Sequence, residues 1–169
     1  MNVSRNNEVA VEKIFLDIVH MALASDSTRL VTLHTTGNGV SGIEGVNDGY
    51  RNLSLHSRNE EKSRQLSVVE QGMIDAWGAF LRKLKEDQLL DETMVLMTSN
   101  LGNASAHRND NLPVLFAGGG FRHGQHLAFS QENNYPLPNL YLSALHRLGM
   151  EIDHFATTST EMRGLDVAG

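Results

Sequence analysis

At 169 residues with 40% hydrophobic side chains, the chain is long enough for one domain with a proper core, because folding at this size removes roughly 68–70% of the unfolded chain's surface from water. A formal net charge of -6 argues against a general grip on a nucleic-acid backbone, which needs clustered Lys and Arg, and favours small molecules or proteins as partners. With no cysteine, disulfides, thiolate metal sites and Cys nucleophiles are excluded, and only His, carboxylate and amide groups remain to hold a metal.

The first residues, MNVSRNNEVAVEKIF, contain no apolar run between a basic start and a small-residue cleavage site, so no signal peptide is expected. The apolar run IFLDIVHMALA is short and carries Asp17 and His20, so no membrane span is expected either. Residues 1–8 read as a loose terminus. From Val9 to Ala24, the residues Val11, Ile14, Phe15, Ile18, Val19, Ala22 and Leu23 recur at the spacing of one helical face. Ser25-Asp26-Ser27 breaks that helix, and Arg29–Leu33 (RLVTL) is predicted as a short buried strand ending near His34.

Thr35–Arg64, with five glycines and many polar groups, is predicted as a functional or mobile loop. Over Arg64–Leu89, Leu66, Val69, Met73, Trp77, Phe80, Leu81 and Leu84 form a helical stripe, expected to be the core face of a helix lying on a sheet. Thr93–Thr98 suits a strand buried on both faces, so strand, helix and strand predict a right-handed βαβ unit. A further strand, Leu112–Ala117, stops at Gly118-Gly119-Gly120. Pro136 and Pro138 introduce a helix over Asn139–Leu148, with Leu140, Tyr141, Ala144, Leu145 and Leu148 expected on its buried side and Gly149 after its end. Residues 153–169 read as loose tail. The element order predicts one α/β domain over 1–169, a layered sheet with helices packed on it.

In open α/β sheets chemistry gathers after the strands, here at 34–42, 99–111 and 118–126. His34, His107, His123 and His126 fall in those segments. Gly37-Asn38-Gly39-Val40-Ser41-Gly42 has the G-x-G-x-x-G spacing, but no helical stripe follows to hold a pyrophosphate. Neither a P-loop nor a G-x-S-x-G elbow occurs. Gly118–Gly120 reads as a tight turn. His123 and His126 lie in a Gly-flanked loop, where an i, i+3 spacing does not put two imidazoles on one face.

Taken together, LDIVHMALASDSTRLVTL, DGYRNLSLHSRNEEK, LLDETMVLMTSNLGNASAHRNDNLPVLFAGGG and LPNLYLSALHRLGM resemble the C-terminal half of a bacterial family named for an H-x-x-S-H-H motif. That family is grouped with the alkaline phosphatase and sulfatase-like superfamily. The resemblance implies a partial alkaline-phosphatase-like α/β domain, exported relatives and, in competent members, a divalent metal (zinc, manganese or calcium) serving hydrolysis of phosphate or sulfate esters. The naming motif falls on Arg51-Asn52-Leu53-Ser54-Leu55-His56, where Ser54 and His56 match while Arg51 and Leu55 replace histidines. A family glutamate falls on Asn100, and His107 retains the family's histidine character. The superfamily's nucleophile belongs to an N-terminal half outside the matched pattern.

These departures lead us to expect a truncated, non-catalytic structural or binding module, with self-association through surface that the missing half leaves open. The alternative is a metal-dependent hydrolase completed by a second chain. In it His34, His56 and His107 are metal ligands, Asn100 is a weak ligand or an outer donor, Arg51 clamps the anionic substrate, and Ser54, Ser105 and Asp110 contribute polar groups.

Overall fold

The computed structural model describes residues 7–35, 39–55, 58–130, 132 and 134–168. The chain is mixed α/β and divides into two compact units, Met1–Leu89 with Asn100–Leu112, and Leu90–Ser99 with Pro113–Gly169.

In the first unit, α1 (Glu8–Ala24) starts where the Asn7 side chain accepts the Ala10 N–H at 3.1 Å, which satisfies one of the amides that a helix start leaves open. After a short α2 (Tyr50–Ser54) comes α3 (Glu60–Glu86), capped by Asn59 with Glu60 and Glu61 in its first turn. Gln65, Val69, Met73, Ala76, Phe80 and Leu84 are its buried positions, at steps of three and four. This stripe packs against α1 and α2 rather than on a sheet, with Leu53 of α2 fully buried.

α1 and α3 run in the same direction. Val9 lies against Gly72, where an added Cβ would come within 3.0 Å of a Val9 methyl. Further along, Asp17 pairs with Lys83, and His20 Nε2 lies 2.8 Å from Asp87 Oδ2.

In the second unit, a 3-10 turn (Leu90–Glu92) leads into β1 (Met94–Thr98), which pairs antiparallel with β2 (Val114–Gly118), Met94 opposite Gly118 and Thr98 opposite Val114. Thr98 Oγ1 donates to the Pro113 carbonyl at 2.9 Å at the end of the pair where the connecting loop leaves. α4 (Pro138–Arg147) begins with Pro138 in its first turn, and Gly149 follows it at φ +80°.

The strand predicted at 29–33 does not form. Those residues are exposed, Leu30 to 84%, and at their start the Thr28 hydroxyl bonds the Leu30 backbone and Arg29 pairs with Asp26. Strand propensity describes fit to a pleated, half-buried surface, and no neighbouring strand supplies one here. Without it there is no βαβ unit. β1 and β2 are joined by a returning loop and therefore pair antiparallel. β1 is half-buried along Met94–Met97, not buried on both faces.

The tail returns to the segment that follows β2. Phe121 pairs with Val167, Arg122 N–H donates to the Asp166 carbonyl at 2.7 Å, and Ala168 N–H to the Gly120 carbonyl at 2.8 Å. On α4 the buried positions are Asn139, Leu140, Leu142 and Ser143, while Leu148 is exposed.

Candidate functional site

The residues singled out from sequence as ligands or anion contacts lie in the first unit, apart from His56, which is outside the described residues. Arg51 and Ser54 sit on α2, and the segment 100–111 folds back on itself through paired hydrogen bonds between Asn103 and Arg108. Gly102 is essential to that fold, since a Cβ there would meet the Asp110 carbonyl at 2.0 Å. Ser105 Oγ donates to the Ser54 carbonyl at 3.4 Å, which ties the 100–111 segment to the last residue of α2.

His34, Asn100 and His107 are all exposed, and His107 occupies a turn at φ +51°. Among the described residues no three His, Asp or Glu side chains converge as metal ligands. Asp110 is taken by Arg108, whose guanidinium holds its carboxyl below the usual range. In the third segment His126 is exposed, while His123 Nε2 donates to the Gly118 carbonyl at 2.8 Å and the ring rests against Phe116 and Phe121.

The chemistry open to this polar surface is limited. Ser54 donates its hydroxyl to the Arg51 carbonyl at 2.9 Å and Ser105 donates to the Ser54 carbonyl, so both hydroxyl protons go to backbone oxygens rather than to a base among the described residues.

α1 offers a different kind of site. Its inner face carries Val9, Glu12, Leu16, Val19 and Leu23, and its opposite face carries Ile14, Phe15, Ile18 and Met21, which are 45–60% exposed. Beside that stripe, Asp17 is matched by Lys83 of α3. Helical periodicity finds this helix but merges two faces into one, because a helix that is apolar on both sides gives no single stripe.

On the inner face Glu12 is only 7% exposed, and its Oε2 has no partner among the described residues. Burial, and then the neighbouring Glu8 charge, push its carboxyl up to about 7. Burial likewise raises the Tyr50 hydroxyl, helped by Glu70 and Glu8. No helix among the described residues is long and apolar enough to cross a membrane.

Comparison with family models, curated proteins and solved structures finds no match to this chain.

Proposed function

We propose that this chain is a non-catalytic binding module that associates with a second copy of itself through the outer face of α1. We read it as a degenerate relative of the H-x-x-S-H-H family with a partial alkaline-phosphatase-like ancestry, on the strength of the sequence resemblance. The single observation that carries the binding role is the stripe Ile14, Phe15, Ile18 and Met21, an apolar helix face left open opposite an already buried one.

A second copy is the occupant that chemistry favours. An apolar stripe is complementary to itself under two-fold symmetry, and the charge beside it, Asp17, is already paired with Lys83, so a copy brought onto the face meets no unmatched anion there. The test is molar mass by light scattering across a wide concentration range. Wild type should rise toward twice the monomer mass, and Ile18→Asp should stay monomeric at every concentration. A concentration-independent monomer mass for wild type contradicts the reading.

One observation favours a second reading, a metal-dependent ester hydrolase. Ser105 Oγ reaches the carbonyl of Ser54, which brings the 100–111 segment to the end of α2, the helix that carries Arg51 and Ser54. Elemental analysis of wild type and His107→Ala decides it. Stoichiometric zinc, manganese or calcium lost on substitution supports the hydrolase, and equal, negligible metal in both removes it.

A further inference from the structure

The second unit contains a half-open cavity of about 300 Å3, the lower end of the size of small-molecule sites. Its polar wall is the last turn of α4, with Ser143, His146 and Arg147, faced by Glu161. Its apolar wall is Phe121 with Leu165 and Val167.

The groups on the polar wall are not equally committed. His146 directs Nδ1 at the Glu161 carboxylate and Nε2 at the Ile152 carbonyl, 2.8 Å away. Two acceptors on one ring call for a proton on each nitrogen, so the imidazolium is favoured, and the Ile152 carbonyl and then Glu161 raise its pKa. One oxygen of Glu161 is thereby used, and the other is left as an acceptor.

Ser143 is 5% exposed. Its Oγ accepts the Met162 N–H at 2.9 Å, which leaves the hydroxyl proton to be donated. Among the described residues Arg147 is anchored by one hydrogen bond, from Nε to the Gly119 carbonyl at 2.7 Å. Its Nη2 passes over Gly120, where a Cβ would lie 2.5 Å away, so the glycine is what lets the guanidinium lie flat on the turn. With Nε spent, the terminal N–H groups keep the fork geometry that suits a carboxylate.

The charges decide the class of ligand. His146 and Glu161 neutralise each other, and Arg147 remains as one cation beside an apolar wall. We propose that this cavity binds a small organic carboxylate that carries a hydroxyl and an apolar body. Arg147 takes the carboxylate, the second oxygen of Glu161 accepts from the ligand hydroxyl, Ser143 donates to it, and Phe121, Leu165 and Val167 cover the body.

Mandelate has these three features and is the probe. Titration calorimetry on the full chain should give saturable one-to-one binding of mandelate, at least tenfold weaker binding of the neutral mandelamide, and at least tenfold weaker mandelate binding by Arg147→Gln. Because Arg147 also holds the glycine turn, Leu165→Trp is the second variant. It fills the cavity, leaves every polar group in place, and should abolish binding without lowering the melting temperature. The proposal is overturned if wild type shows no saturable binding of mandelate, if mandelamide binds equally well, or if folded Leu165→Trp binds mandelate as wild type does.

Discussion

Glu12 shows how one residue can set the pH dependence of a helix interface. Its carboxyl keeps a proton in the folded chain up to about pH 7, whereas an unfolded chain releases it near 4.5. Between those values the folded state binds more protons, so stability must fall as pH rises. At most this costs on the order of 3 kcal/mol, since each tenfold change in proton affinity is worth about 1.4 kcal/mol. Glu12→Gln keeps the size and the polarity but cannot ionise. Urea unfolding at pH 5 and pH 8 should show wild type losing stability between the two, with the variant changing much less. Equal losses in both proteins would place the pH dependence elsewhere. A glutamate at an inward helical position is visible in the sequence, but its burial is not, because periodicity assigns the neighbouring apolar residues to a single face.

Among the elements, the β1–β2 pair depends on the glycine turn that ends it. Gly118 has φ +75°, and a Cβ there would come 2.1 Å from the Thr93 carbonyl and 2.5 Å from the Leu90 carbonyl. Gly118→Ala therefore combines a left-handed backbone penalty of about 1–2 kcal/mol with a collision against fixed backbone, and should cost more than about 2 kcal/mol in urea unfolding. A loss under about 0.5 kcal/mol would show that the turn adapts.

Local signals serve the elements unequally. α1, α3 and α4 are legible because each shows helical spacing and a cap or a proline at its start, and β1 and β2 because their apolar runs are bounded by turn residues. The segment 29–33 has the same local look as a strand, yet a strand is completed by its partner, and no local signal says whether one arrives. The same limit hides the antiparallel pairing of β1 and β2. It also hides the cavity by α4, since His146 and Glu161 meet only when the tail returns to the helix.

For the whole molecule, a net charge of -6 opposes close approach of two copies, so the apolar face of α1 has to overcome that repulsion. Of the polar candidates, Ser105 bonds to the backbone of Ser54, whereas the case for His34 and His107 rests on strand ends, and the strand before His34 is absent. The residues of the α1 face, Ile14, Phe15 and Ile18, are plain in the sequence, but helical spacing alone assigns them to the core.

The natural absence of cysteine allows a direct test of that face. Ile18→Cys and, as a control, Ser67→Cys on the exposed side of α3 each introduce one thiol, and oxidation at low micromolar concentration followed by non-reducing electrophoresis reports which thiols meet. The account expects a disulfide-linked dimer from Ile18→Cys far in excess of that from Ser67→Cys. Equal and slight cross-linking in both would mean that α1 does not pair with its copy, and the proposed interface would be wrong.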